Sequence, residues 1–459
     1  MKIRKEEVKK KKMKKRKSSF DNAFLQKKRF AVVDIVIVLC LVFLVATLPG
    51  IAADPSVQKV SASEVTTTSE DDLILDIYGN ANEDDTIDMR DTTHIKLIIF
   101  KKKPETELAD ANHDGKISML DVGQTKLIIL GREKELTLID MADRTVTIDK
   151  PVGKIVLLNT NLYEQTRALD EEDRIVGIPT DYRDKESVKY PELADLPVVG
   201  SGDEPNYEAI VDLDPDVVIQ YSSWPVLPDE LQEILDPAGI KVLGLDFYMA
   251  EIFYEEVAML GYILDTEEEA EEYINFLQYW TDRVDEVVEE LEPEEKKTVY
   301  FEGAAKYLSY GGADYGCGVP GAVRAAGGRY IYDDFFEYFF EVDPEDLVDR
   351  NPEVIIKLTD VDNGGYTLTG TSELKEVRDE LINRPELSLV TAVKNNEVYV
   401  INMDISGGER KIFAPVFMAK CLYPEKFEDL EPHDFLKEYL EEWLGIPYQG
   451  VYIYPYPPA

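Results

Sequence analysis

The chain has 459 residues, too many for one ordinary domain and enough for about three. Its formal net charge is -42, but residues 1–30 hold 14 Lys and Arg against 3 Asp and Glu, a net of +11, which leaves -53 for the rest. So acidic a surface repels nucleic acid and excludes it as a partner of the bulk of the chain. Three cysteines without a Cys-x-x-Cys pattern exclude a disulfide scaffold, and Cys317 and Cys421 form either one bridge or two buried thiols.

The N-terminal region predicts a membrane attachment. Residues 1–30 form a basic leader, and residues 31–48 are almost wholly apolar, long enough for a membrane span or a long signal-peptide core. Because basic flanks stay in the cytoplasm, the leader is cytoplasmic and everything after the apolar run is extracytoplasmic. Residues 49–72 read as a linker. We expect one N-terminal span in the cell membrane, or secretion if the segment is cleaved.

Two twelve-residue segments, beginning at Asn80 and Asp110, have the spacing of calcium loops. Hard Ca²⁺ takes six to eight oxygen ligands, and oxygen-bearing side chains stand at loop positions 1, 3, 5, 9 and 12 of each segment. Gly115 supplies the sharp turn at position 6 of the second loop, where the first loop has Asp85. The predicted ligands, including those at position 7, are Asn80, Asn82, Asp84, Thr86, Asp88, Asp91, Asp110, Asn112, Asp114, Lys116, Ser118 and Asp121.

Each loop is followed by a short helical segment. The two segments end in nearly the same five residues, Lys96-Leu-Ile-Ile-Phe and Lys126-Leu-Ile-Ile-Leu. This duplicated loop and helix, ending in Asp and lacking an incoming helix, resembles a dockerin domain and covers residues 73–132. The resemblance implies a small all-α domain, two bound Ca²⁺ ions and a cohesin partner. In that family loop positions 10 and 11 help to choose the partner. Here those positions hold Met89, Arg90, Met119 and Leu120, so we expect a partly apolar contact.

From about residue 133 onward, apolar strands alternate with helical patterns, which predicts parallel βαβ architecture. Residues 206–219 and 343–356 are identical at six of fourteen positions, and each copy reads as a helix end, a proline turn and a strand. The repeat indicates two similar α/β lobes and therefore a cleft, where small ligands bind. The predicted strands are 155–158, 216–220, 240–245, 298–302, 353–358 and 397–401.

One long helix is predicted between the two copies, at about 266–291, with Asp265 or Thr266 as its cap. Its length, roughly 40 Å, suits a stiff connector. The large region then divides into an N-terminal lobe (133–265), a connecting helix (266–292) and a C-terminal lobe (293–459).

Several short sequence segments of this region resemble those of the class III periplasmic binding proteins, which serve ABC importers of iron–siderophore chelates, haem and corrinoids. They include Ile139-Asp-Met-Ala-Asp-Arg, Lys154-Ile-Val-Leu-Leu-Asn, Ala326-Gly-Gly, Thr391-Ala-Val-Lys-Asn-Asn and Tyr448-Gln-Gly-Val-Tyr. The resemblance implies two Rossmann-like α/β lobes joined by one long helix, a small-molecule ligand and an ABC permease as partner. It also implies one surface Glu per lobe that docks on the permease, which by position in the repeat are Glu208 and Glu345.

The ligand loops of such a fold follow the carboxyl ends of the strands. The candidates there are Asn161, Tyr163, Tyr221, Trp224, Tyr248, Tyr307, Tyr310, Tyr315 and Arg410. Aromatic walls with one Arg suit a flat or chelated ligand with carboxylates, such as an iron chelate, haem or a corrinoid. Only His433 lies in the large region, so a His-rich zinc or manganese site is excluded and no catalytic residue is assigned. The alternatives are a dockerin-bearing polysaccharide hydrolase and a cell-surface adaptor that binds nothing.

Overall fold

The computed structural model describes residues 74–222, 226–311, 318–335, 337–359 and 365–457. The leader, the apolar segment 31–48 and the whole linker lie outside the described residues, as do Trp224, Tyr315 and Cys317. Within the described ranges, no helix is both long and apolar enough to span a membrane. Cys421 is a buried free thiol.

The described chain alternates helices and strands from residue 135 onward. The helices are α1 Met89–Ile99, α2 Met119–Ile129, α3 Leu162–Ala168, α4 Thr180–Glu186, α5 Tyr207–Leu213, α6 Pro228–Leu235, α7 Phe253–Leu264, α8 Glu267–Glu289, α9 Val319–Ala325, α10 Pro344–Arg350, α11 Ser372–Ile382, α12 Thr391–Asn395, α13 Ala414–Leu422 and α14 Pro432–Glu438. The strands are β1 Glu135–Ile139, β2 Thr145–Asp149, β3 Ile155–Leu157, β4 Ile175–Gly177, β5 Val217–Gln220, β6 Lys241–Gly244, β7 Thr298–Glu302, β8 Leu308–Tyr310, β9 Arg329–Tyr330, β10 Phe339–Glu341, β11 Val354–Thr359, β12 Val398–Asn402 and β13 Ile453–Tyr454.

Two sheets form the centres of two lobes. The N-terminal sheet has the order β4-β3-β5-β6, and its strands are parallel. The C-terminal sheet has the order β13-β12-β11-β7-β9, parallel except for the antiparallel edge strand β13. The central strands β5 and β11 are buried along their whole length, as expected for parallel strands covered by helices on both faces. The predicted α/β fold with parallel sheets is confirmed.

The repeated unit is built the same way in both lobes. After α5, Asp214 adopts φ 49°, and after α10, Asn351 adopts φ 45°, so each helix ends on a left-handed residue directly before a proline. The acid that follows each proline then ties the next strand to its neighbour. Asp216 accepts the backbone N–H of Lys154 at 2.9 Å, and Glu353 accepts that of Thr298 at 2.8 Å.

Helix α8 contacts both lobes. The Tyr273 hydroxyl donates to Gln165 Oε1 at 3.0 Å in the N-terminal lobe, and its ring stacks on Tyr439 of the C-terminal lobe. The predicted caps do not act as caps, because Asp265 ends α7 with φ 60° and pairs with Lys150 Nζ at 2.8 Å. Thr266 occupies the N-cap position of α8, but its side chain makes no capping hydrogen bond. The 23 residues of α8 give a rigid rod of about 35 Å.

The segment with the two loops packs onto the N-terminal lobe. Residues 76–78 lie beside β1, where Tyr78 N donates to Thr137 O at 2.9 Å and Ile139 N donates to Asp76 O at 2.8 Å. Four apolar side chains of the segment belong to the main hydrophobic core, namely Leu75, Ile77, Ile87 and Ile128. The described residues, all of them between 74 and 457, accordingly belong to one compact unit.

Candidate ligand-binding site

A cavity of 180 Å³ lies between the two lobes. It opens at the carboxyl ends of β3 and β12, where ligands bind in open parallel sheets. The N-terminal lobe contributes Thr160 and the face of α4, and the C-terminal lobe contributes the turn that follows β12. The lining residues are Thr160, Asp181, Tyr182, Lys185, Glu186, Met403, Asp404, Gly407, Gly408 and Arg410.

Arg410 forms one wall of the cavity and is fixed from behind by Glu164, a fully buried residue of α3. Glu164 accepts from Arg410 Nε at 2.9 Å and also from Nη2, while Arg410 Nη1 donates to Asp404 Oδ1 at 2.8 Å. Burial raises the pKa of Glu164, but Arg410 and Lys189 outweigh it and hold that pKa well below its usual value. The pair therefore joins the lobes as ions and fixes the guanidinium at the cavity.

Two lysines one helical turn apart add positive charge to the same region. Lys189 lies in the wall of a smaller adjoining cavity, 3.2 Å from Glu186 and 3.7 Å from Asp404. Lys185 lines both cavities, is exposed, and makes no ion pair with any other described residue. Together with the acids beside them, these side chains give a small, strongly polar chamber suited to a charged ligand rather than a purely apolar one.

Of the predicted ligand residues that the structure describes, only Arg410 lines the cavity, while Asn161, Tyr221 and Tyr248 lie beside its lining. Asn161 donates through Nδ2 to Asp246 O at 3.0 Å and lies so close to Gly408 that a Cβ there would be 2.8 Å from its Oδ1. Tyr221 and Tyr248 form an aromatic pair with ring centres 6.4 Å apart. The Tyr221 hydroxyl lies 3.0 Å from Thr160 Oγ1, and Lys411 Nζ lies 5.0 Å from the centre of the Tyr248 ring.

Three predicted ligand residues are placed elsewhere. Tyr163 is 1% exposed in the core of the N-terminal lobe, and its hydroxyl donates to Glu192 at 2.8 Å. The Tyr307 hydroxyl donates to Glu386 at 2.6 Å within the C-terminal lobe. Tyr310 pairs in the β8–β10 ribbon and packs on Phe301. None of the three lines the cavity.

Apart from Arg410, none of the residues that line the cavity is predicted from the sequence, and neither are the charged residues Glu164 and Lys189 beside it. Glu164 lies on α3 just after β3, beside the candidates Asn161 and Tyr163, so its position in the sequence is a usable signal. Lys185 and Lys189 are spaced i, i+4, which is common on solvated helix faces, and no motif distinguished them.

Each lobe presents one acidic side chain at the start of the repeated helix. Glu208 follows the cap Asn206, and Glu345 follows the cap Asp343. Both carboxylates are exposed, and neither makes an ion pair within the described part of the chain. Two unpaired acids at matching places are free to contact a partner protein.

The two loops have features that fit a cation. Their last residues, Asp91 and Asp121, are fully buried, and burial raises the pKa of Asp91 to about 6 because the carboxylate lacks compensating positive charge. Asn82 Oδ1 is also buried and accepts no hydrogen bond. Across the described ranges, no three His, Cys, Asp or Glu side chains are placed to hold an ion by themselves, so calcium would also need the amide and backbone oxygens of the loops.

Comparison with known proteins decides the family. Residues 155–404, more than half of the chain, match the family described as periplasmic binding protein. The chain belongs to this family. The match begins at β3 and ends at Asp404, so it covers the N-terminal sheet, the C-terminal sheet except its edge strand β13, and part of the cavity wall.

Several periplasmic binding proteins and related lipoproteins are similar to the chain. It is 26% identical over 298 residues to the uncharacterized ABC transporter substrate-binding lipoprotein YvrC of Bacillus subtilis, covering 63% of this chain and 85% of that protein. It is 25% identical over 237 residues to the high-affinity heme uptake system protein IsdE of Staphylococcus aureus, covering 51% and 75%.

Solved structures show the same fold. The TroA-like periplasmic binding protein FepB of Veillonella parvula superposes with a TM-score of 0.59 at 26% identity, covering 69% of this chain and 98% of that chain. The molybdate-binding protein MolA of Haemophilus influenzae superposes at 0.54 with 17% identity, covering 68% and 99%. These names describe binding components of transport systems and not enzymes, so the hydrolase alternative gains no support from them.

Proposed function

We propose that this chain is the extracytoplasmic substrate-binding protein of an ABC importer for a metal chelate of the iron-chelate, haem or corrinoid class. The observation that carries the proposal is the polar cavity between the lobes, with Arg410 fixed across the interface by Glu164. The family membership and the named relatives support it. The exposed pair Glu208 and Glu345 gives the permease one contact on each lobe, which lets it recognise both lobes together.

Within that class, the cavity favours a compact iron chelate. Its 180 Å³ is below the roughly 300–1,000 Å³ of pockets that enclose drug-sized ligands. Haem and corrinoids would require the lobes to separate, which would break the buried pair of Glu164 and Arg410. The charged lining also suits a hydrophilic chelate better than the apolar faces of a porphyrin.

The test is a titration of the full-length chain in detergent with ferric citrate, haemin, cobalamin and molybdate, followed by intrinsic fluorescence. We expect the ferric chelate to bind most tightly and Lys185→Ala to weaken it by about tenfold, since one charged contact contributes roughly 1.4 kcal/mol. The matched control is Lys375→Ala, because Lys375 is exposed on α11 and does not line the cavity. Tight binding of haemin or cobalamin with no binding of the ferric chelate would overturn the choice of ligand.

We further propose that the N-terminal segment tethers the protein to the membrane and that the loop segment, loaded with calcium, docks a cohesin domain. Large apolar side chains at loop positions 10 and 11 support the docking, since Met89 is 55% exposed, Met119 60% and Leu120 65%. Cohesin binding by the full-length chain should require calcium and weaken on Leu120→Ser. Binding that persists in EDTA would contradict the docking proposal.

A further inference from the structure

The two calcium loops differ in whether a cation of the protein already contacts their carboxylates. Arg90 Nη1 lies 3.1 Å from Asp84 Oδ2, and Arg90 Nε lies 2.8 Å from Asp88 Oδ2. Asp84 and Asp88 stand at positions 5 and 9 of the first loop. One guanidinium therefore bridges two of the predicted calcium ligands, with one nitrogen on each carboxylate.

Among the described residues, no Lys or Arg side chain forms an ion pair with a carboxylate of the second loop. Leu120 stands where the first loop has Arg90, and Ser118 stands where it has Asp88. Asp114 accepts the backbone N–H of Lys116 at 3.0 Å, and neither Asp110 nor Asp114 forms an ion pair with another described residue. Its carboxylates are left available to an external cation.

The first ligand position differs in the same direction. Asn80 is neutral, and its Nδ2 donates to Leu75 O at 2.8 Å and to Asp84 O at 2.6 Å. Asp110 is a carboxylate that accepts from Gly115 N at 2.8 Å. Gly115 takes φ 89°, whereas Asp85 does not take a positive φ, so the backbone at loop position 6 differs between the two loops. Because calcium affinity follows ligand charge and loop geometry, both differences weaken the first site.

We propose that Arg90 is an internal competitor for calcium, so that the first loop binds the ion more weakly than the second. The inference rests on the calcium binding proposed above. The Arg90 side chain is 61% exposed, so it can leave the loop for water and the first site is weakened rather than closed. Calcium enters the second loop first, and it enters the first loop only as the guanidinium leaves Asp84 and Asp88.

The test is a calorimetric titration of the full-length chain with calcium in detergent, starting from the EDTA-treated protein. The wild type should bind two ions in two steps whose dissociation constants differ by at least about tenfold. Arg90→Leu, which copies the second loop, should strengthen the weak step by about three- to tenfold. Leu120→Arg is the reciprocal control and should weaken the tight step, while Asp110→Asn should remove it.

The outcomes separate the two proposals. Two steps of equal affinity in the wild type, or an unchanged weak step in Arg90→Leu, would overturn the competition while leaving calcium binding intact. No calcium uptake at all would overturn both. A circular-dichroism spectrum of each variant shows whether the fold is retained, and a variant that folds and keeps the wild-type isotherm counts against the competition.

Discussion

Two buried glutamates show how the surroundings of a side chain set its charge. Glu164 faces Arg410, and its pKa is held below the usual value. Glu256, on α7, accepts backbone N–H groups from Asp246 at 2.5 Å and Phe247 at 2.7 Å, yet burial raises its pKa to about 8. The difference is the cation, because backbone dipoles alone do not offset the loss of water around a buried carboxylate.

Replacing Glu164 should destabilise the protein strongly. Glu164→Gln leaves part of the Arg410 charge buried without its main partner, so the free energy of unfolding should fall by about 3 kcal/mol in urea denaturation. Because the folded pKa of Glu164 is depressed, its contribution is present above the ordinary value of 4.5 and is lost as the pH falls below it. The matched control is Glu230→Gln, because the Glu230 side chain is exposed. A loss below about 1 kcal/mol would refute the ionic link between the lobes.

Glu256 should give the opposite pH dependence. Its folded pKa is raised, so the stability it contributes is full below the ordinary value of 4.5 and is lost as the pH rises to about 8. Glu256→Gln should therefore reduce the decline in unfolding free energy between about pH 5 and pH 8 by about 3 kcal/mol. Urea denaturation at several pH values measures it. Equal pH slopes in the two proteins would show that Glu256 is not neutral in the folded state.

At the scale of elements, the loop segment, α7 and the start of α8 meet at one junction. The Tyr262 hydroxyl accepts the backbone N–H of Ile87, a residue of the first loop, at 2.9 Å. Lys150 Nζ donates to Tyr262 O and Ile263 O and pairs with Asp265. These contacts hold the loop segment beside helix α8, which joins the lobes, although the sequence of the segment resembles an independent module.

Removing one hydroxyl tests that fastening. Tyr262→Phe leaves the buried Ile87 N–H without an acceptor, which should lower the free energy of unfolding by about 1–3 kcal/mol. It should also speed proteolysis near residues 100–106. Tyr279→Phe, at a ring that is 60% exposed, is the control and should have little effect. Indistinguishable unfolding curves for Tyr262→Phe and the wild type would mean that the segment is held by its apolar contacts alone.

At the scale of the whole molecule, the sequence was most informative where short-range patterns decide the structure. All six predicted strands lie within one residue of the observed ones at each end, because buried parallel strands are β-branched runs bounded by turn residues. The long helix is also predicted from a short-range pattern, the apolar residues that recur at three- and four-residue spacing. The docking of the loop segment is not, since it depends on pairings such as Tyr262 with Ile87, more than 170 residues apart.

The sequence predicts where the candidate site lies, but only some of the residues that form it. Asn161 and Tyr163 both follow β3, yet residues two apart on a helix point to different sides, so one faces Gly408 and the other enters the core. Position after a strand gives the region of the cleft, and only packing gives the direction of each side chain. Lys185 and Lys189 enter the site because α4 lies against the C-terminal lobe, which no local pattern encodes.

We propose that the two lobes, each with one exposed carboxylate at a matching position, deliver a ligand to a membrane permease. The most direct test is the double variant Glu208→Ala, Glu345→Ala, assayed for ferric citrate binding by the purified chain and for uptake by cells that carry the importer. We expect unchanged affinity with uptake reduced by about tenfold or more, since both charged contacts with the permease are lost. Unchanged uptake, or a loss of ligand affinity that matches the loss of uptake, would contradict it.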